Sequence, residues 1–402
     1  MSTTPDRTQS PTPVPEKPAG AAREYTRADF RIGWRGQINR VAMVLLIIVY
    51  PMVVLALAGG MFWLCFWLVT LRVALILTGS TALFSFLMGL LLLYSLLLLL
   101  IPRRYEPPPG VQLREQANRS VFELIKRVAK RLNVKPPALV LVEPGASASI
   151  GYFDIDDEHG HRREHVLIIG AQDILMSSAA EFTATVCHEL AHAAAGDTVM
   201  SRGIARFYMS LSLAIAVVHD DEIEGFSLLG WLAHLPLMGL FWVFTVLFLY
   251  DCRLREYRAD RVAAQFCGPQ HTRDMLRKTY RLPRIPELDV GELVARVAGR
   301  ERPGNLYDEF RARLANVSER RWQAAENEAF QEPATVWSTH PNLADRFRKL
   351  ANIDAPELPV NRPARDLFLD WDRIENQLSR ILLTIAKVVD DIRDREVVRM
   401  LR

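Results

Sequence analysis

The stretch "VCHELAHAAAGD" (residues 186–197) puts His188 and His192 four apart, with Glu189 directly after the first. Positions four apart in an α-helix lie about 40° apart around its axis, so both imidazoles leave one face and can share a metal ion. Glu189 then stands beside them without being a ligand, where its carboxylate can take a proton from an attacking water. The flanks support a helix. "SSAAEFTATVCHELAHAAAGD" offers Ser177 or Ser178 as N-cap and Gly196 as terminator. A third ligand is not found in the turns that follow.

Further along, two apolar runs, 204–218 and 226–250, flank an acidic "HDDEIEG". A membrane span needs about 20 residues, so the second is long enough and the first is borderline. Directly after them comes "LREYRADRVAAQF", a helical segment with Glu256 and, one turn on, Asp260. Glu256 is the candidate third ligand. Both acids could instead pair with nearby arginines at i,i+4 spacing on a surface helix.

Toward the N-terminus, Val41 to Ile101 is apolar apart from Arg72, enough for two spans and a tight turn. Arginines cluster before and after each apolar pair, as in Arg31, Arg35, Arg40, Arg103 and Arg104, and again in Arg202, Arg206, Arg253, Arg255 and Arg258. By the positive-inside rule, both ends of each pair are expected in the cytoplasm. The first residues are rich in Pro, Ser and Thr with no apolar period, so residues 1–30 read as a disordered tail without a secretory signal. A net charge of +3 with no basic run speaks against a nucleic-acid partner. Four scattered cysteines, Cys65, Cys187, Cys252 and Cys267, without CxxC spacing read as reduced thiols.

Between and beyond the apolar runs the chain reads as a soluble domain. Val121, Leu124, Ile125, Val128 and Leu132 recur at helical spacing, "ALVLV" (138–142) reads as a buried strand, and "SIGYFDI" with "EHVLIIG" forms a hairpin around Gly160. Asp154, Asp156, Asp157, His159, His161 and His165 fall at its solvated tip; His219, His234 and His271 belong to no motif. After the Pro-rich "APELPVNRPAR", the positions Leu367, Trp371, Ile374, Leu378, Ile381, Ile385, Val388 and Ile392 follow 4,3 spacing. That is a seam for docking on the same chain or on a second copy.

"HELAHAAAGDTV", an apolar hairpin, "EYRAD" and "STHPNLADR" (338–346) together resemble the HtpX-like membrane zinc metalloproteases, relatives of the CAAX prenyl-protein proteases. The resemblance runs over about residues 41–350. It implies an α+β fold: a mostly helical zincin-type domain with a small β-sheet, plus transmembrane helices. It implies Zn2+ on His188, His192 and Glu256, with Asp260 orienting a ligand histidine. It also implies that His340 and Arg346 face the site and stabilise the transition state, although His340 could equally cap the turn before Pro341 and Arg346 could be solvated. The chain departs from the family at Ala191, where a glycine is common, and at "GASASIGYF", which replaces an Asn-Ala-Phe stretch.

The resulting expectation is a multi-pass protein of a bacterial cytoplasmic membrane with its site facing the cytoplasm. The tail is followed by a transmembrane hairpin (31–105), a metalloprotease domain (106–355) enclosing the second apolar hairpin (204–250), and a linker with a C-terminal amphipathic helix (356–402). Its partners would be the bilayer and peptide or protein substrates, by resemblance misfolded or damaged membrane proteins, with "HVLIIG" as the strand an extended substrate would join and a homo-oligomer through the last helix. The alternatives are a CAAX-type prenyl-protein endopeptidase, which has seven spans against at most four here, and a non-catalytic scaffold with structural zinc, which would not need Glu189.

Overall fold

The computed structural model describes residues 24–70, 75–101, 104–157, 160–218, 228–298, 304–359 and 362–400. The tail up to residue 23, Arg72, Arg103, His159, His219 and the acidic loop after residue 218 lie outside them. Two long helices come first, α1 (Trp34–Thr70) and α2 (Leu75–Leu100). There follow β1 (Val111–Gln112), α3 (Arg119–Arg131), β2 (Leu139–Glu143), β3 (Ala148–Asp157), β4 (Gly160–Gly170), α4 (Ala171–Met176) and α5 (Ala179–Ala194). Then come α6 (Asp197–Val218), the 40-residue α7 (Leu228–Cys267), α8 (Pro269–Arg281), α9 (Val290–Ala298), α10 (Leu306–Asn316), α11 (Glu319–Gln331), α12 (Leu343–Leu350) and α13 (Trp371–Met400). Among the described residues the protein is mostly helical, with one small mixed sheet.

That sheet runs in the order β1-β2-β4-β3, with β2 and β4 parallel and the outer pairs antiparallel. Gly160 holds φ +91, a left-handed conformation open to glycine, opposite Asp157 in the hairpin register. Val140, Val142, Leu167 and Ile169 turn one face of the sheet to the main core, which α3, α5, the end of α7 and α8 complete. α5 is the centre of that core: nearly every side chain on it is buried. Its start is a capping box, in which Ser178 Oγ accepts from the Glu181 N–H at 3.3 Å and the Ser178 N–H donates to Glu181 Oε2 at 2.6 Å. Its end is Gly196, at φ +75.

The apolar helices form a second cluster, in which Tyr50 and Val54 of α1, Leu92 of α2, Phe207 and Leu211 of α6 and Phe244 of α7 pack together. Outward, α1 exposes Ile38, Val41, Leu45, Ile48, Met52 and Leu55, a contiguous apolar surface of the kind that contacts a membrane or a partner. Among the described residues, α1 and α7 are long and apolar enough to cross a membrane, by length and composition. α7 is one helix that carries both the apolar run and Glu256, so the carboxylate is rigidly joined to that run.

Two expectations change, and a third is narrowed. Residues 24–30 do not behave as tail: Tyr25 and Phe30 are buried in the main core, and the Tyr25 N–H donates to Arg131 O at 3.0 Å. Two aromatic rings supply the burial that the Pro- and Ser-rich residues before them lack. Asp154 is no solvated tip residue. It is 4% exposed, accepting from Arg163 Nε at 2.6 Å and from the Tyr105 N–H at 2.8 Å, because the hairpin lies over the chain leaving α2. The C-terminal seam begins on the same chain, since Leu367, Trp371, Ile374 and Leu378 are buried in the main core, with Leu367 on a 3-10 turn before the helix. Val388 and Ile392 have no described side-chain surroundings. All four cysteines are unpaired thiols.

Candidate metal centre

The last two turns of α5 bring His188 and His192 against the C-terminal part of α7. Their Nε2 atoms are 3.3 Å apart. Glu256 closes a triangle, with Oε2 3.6 Å from His188 Nε2 and Oε1 3.5 Å from His192 Nε2. Two donors each about 2.0–2.1 Å from one ion at tetrahedral angles lie about 3.3–3.4 Å apart, so the triangle has the edge lengths a small divalent cation requires. Two imidazoles and a carboxylate are also the donor set of an open, catalytic zinc site rather than a closed structural one. Among the described residues these three form the group of metal-ligating side chains whose ligand atoms converge, all within 4.8 Å of one another.

The charge around the triangle favours a cation. Burial alone would push both imidazoles down, yet the surrounding carboxylates outweigh it and hold His188 up at about 9 and His192 at about 10. Burial pushes the Glu256 carboxyl up in turn, but Arg346 and the histidines hold it well below the usual range. Glu189 borders the same cavity of about 580 Å³ as His188, His192 and Glu256. Its carboxyl is raised by burial against the pull of both histidines, the direction that suits a proton acceptor working near neutrality.

The outer nitrogens are held as well. His188 Nδ1 sits 3.1 Å from Asp260 Oδ1, and Asp260 accepts both prongs of Arg346, from Nε at 2.7 Å and from Nη2 at 2.6 Å. The resemblance implies that Arg346 faces the site, and it does border the same cavity; its guanidinium is buried and engaged on Asp260, with Nη2 also 3.2 Å from Glu256 Oε2. His340 stands at the rim, its Nδ1 3.3 Å from Glu256 Oε2 and its side chain 65% exposed.

Residues 159–354 match the profile of peptidase family M48. The chain is HtpX-like. It is 23% identical over 188 residues to the protease HtpX of Shewanella halifaxensis, covering 43% of this chain and 62% of that one. It is 27% identical over 173 residues to that of Haemophilus ducreyi (40% and 57%), and 26% over 212 residues to that of Actinobacillus pleuropneumoniae serotype 5b (49% and 69%). The chain thus spans about three-fifths of the length of the first two relatives.

The matched region contains a site residue that the sequence motifs did not single out. Asp197 Oδ2 lies 3.0 Å from His192 Nδ1 and accepts from Arg258 Nη2. It ends the very stretch that carries the histidines, but only the turn at Gly196 shows that it folds back on His192. One expectation about substrate is overturned: "HVLIIG" is β4, an interior strand paired on both sides. The outer strand beside the site is β3, whose Ala148, Ser149 and Ile150 border the cavity. Alternating apolar and polar residues did not distinguish which strand of the hairpin would be outermost.

Proposed function

We propose that this chain is a membrane-anchored, zinc-dependent endopeptidase with its site on the cytoplasmic side of a bacterial inner membrane, and that misfolded or damaged membrane proteins are its substrates. The observation that carries the reading is the His188–His192–Glu256 triangle with a buried carboxylate, Glu189, in the same cavity. His188, His192 and Glu256 would hold the zinc ion, which would supply Lewis acidity toward the peptide carbonyl and the attacking water. Glu189 takes the proton of the attacking water and returns it to the departing amine nitrogen. Asp260 and Asp197 fix the ring orientation of the two histidines through their Nδ1 atoms. An extended peptide lies along β3, exchanging backbone hydrogen bonds with it, and His340 at the rim contacts the developing negative charge. Residues 31–105 serve as the membrane hairpin, and α7 as a second crossing that ends in the site.

Glu189→Gln tests the reading. The amide keeps the shape but cannot accept the proton, so the variant is expected to hold zinc at one equivalent and to lose casein cleavage to below a few per cent of wild type. Cleavage retained above that level would overturn the assignment of Glu189, and absence of zinc from the wild-type protein would overturn the metal centre.

A further inference from the structure

Arg40 lies in α1, one residue before the apolar run begins, and reaches into the support of His192. Its Nε donates to Asp251 Oδ1 at 2.7 Å and its Nη2 is 3.5 Å from Asp197 Oδ1. Asp251, fully buried on α7, also accepts from Arg255 Nε at 2.5 Å, and Arg255 is 3.8 Å from Asp197 Oδ1. Two buried carboxylates are therefore shared among Arg40, Arg255 and Arg258. Arg255 and Arg258 come from α7, and Arg40 is the one of the three that reaches both acids from α1. The neighbouring backbone is tied to the same helix: Asn39 Nδ2 donates to Leu247 O at 2.9 Å, Arg258 Nη1 to Phe30 O at 3.1 Å, and Arg261 Nη2 to Asp29 O at 2.9 Å.

We propose that Arg40 is a positioning residue for the metal centre, holding Asp197 in the place from which Asp197 orients His192, so that the N-terminal apolar hairpin is a working part of the site as well as an anchor. The inference rests on reading His188, His192 and Glu256 as metal ligands. The physical reason is geometric. Arg255 and Arg258 both approach Asp197 from α7, whereas Arg40 approaches from α1, so with all three the carboxylate is held between two helices and keeps its remaining lone pairs aimed at the imidazole.

The experiment uses the full chain in nanodiscs and measures zinc affinity by chelator competition and the visible absorption of the cobalt-substituted protein. Losses from residues behind a ligand run about 10- to 100-fold, and Arg40 acts one contact further out, so Arg40→Ala is expected to weaken zinc about tenfold and to shift the cobalt bands. Arg40→Lys should recover part of both, since a single ammonium restores charge but not the two-pronged reach. Asn39→Ala, which loosens α1 without touching Asp197, should leave them as in wild type. In an Asp197→Asn background, Arg40→Ala should cost nothing further, because its route is gone. Wild-type affinity and cobalt spectrum in Arg40→Ala would overturn the proposal, as would equal losses in Asn39→Ala. Should Arg40→Ala fail to fold, Arg40→Lys carries the test: wild-type zinc affinity and cobalt spectrum in it, or a loss that adds in full to that of Asp197→Asn, would overturn the proposal. A wild-type chain that binds neither metal would instead overturn the reading on which this one rests.

Discussion

His188 and His192 are one turn apart on α5, yet they are held from opposite sides by arrangements of different reach. His188 leans on Asp260, and Asp260 on the two parallel prongs of Arg346, a short line from α5 through α7 to α12. His192 leans on Asp197, which shares arginines of α7 and α1 with Asp251. The first support is compact and lies wholly within residues 159–354, the M48 match. The second leaves that match and enters the apolar hairpin. One half of the centre can therefore be disturbed from within the matched region, and the other from the N-terminal apolar helices.

The largest effect is expected where the two halves meet. Glu256 faces both imidazoles, so Glu256→Ala opens the triangle on both sides, and the purified variant should emerge largely metal-free. Stoichiometric zinc by elemental analysis in that variant would mean that the third ligand lies elsewhere, and the comparison between the halves would lose its common centre.

Next in size is the compact half. Asp260 is fully buried, so Arg346→Ala leaves an uncompensated charge in the core at a cost of about 3–5 kcal/mol. A large fall in melting temperature with loss of zinc is expected. Arg346→Lys should recover only part of it, because an ammonium cannot match both oxygens at once. If Arg346→Ala melts like wild type, the bidentate clamp is not what holds that side.

A third variant probes the rim. With its side chain mostly in solvent, His340 contributes little to stability, and His340→Ala should keep zinc and melting temperature while lowering kcat several-fold. Loss of zinc would instead make His340 part of the coordination set.

These variants also show which parts were legible in the sequence. The α5 helix, with its cap at Ser178 and stop at Gly196, was readable because capping chemistry and apolar period are local signals. Glu256 and Asp260 were readable because a charged run follows directly on an apolar one. What could not be read are contacts between segments far apart in the chain, such as Arg40 with Asp251 across 211 residues. Apolar periodicity says which face is covered, not by what. The burial of Tyr25 and Asp154, the strand order β1-β2-β4-β3 and the docking of Trp371 and Leu378 on the same chain all belong to that class.

The smallest effect comes from a carboxylate that lacks what the other two have. Asp173 of α4 borders the same cavity and is buried like Asp260 and Asp197, but it is met by hydroxyls rather than a guanidinium, Ser177 Oγ at 3.2 Å and Thr185 Oγ1 at 3.5 Å. Burial therefore prevails over those hydroxyls and the more distant charge of Lys278, and lifts its carboxyl to about 6 from an ordinary 3.8. A raised acid binds its proton more tightly when folded, so its contribution to stability is present below pH 3.8 and is lost as the pH climbs through about 6. Asp173→Asn cannot ionise and escapes that loss. The melting temperature of the variant relative to wild type should consequently rise by a few degrees between pH 4.5 and pH 7.5. A difference that stays flat or falls over that range would show that Asp173 is as well compensated as the arginine-clamped acids, and the contrast among the three carboxylates would disappear.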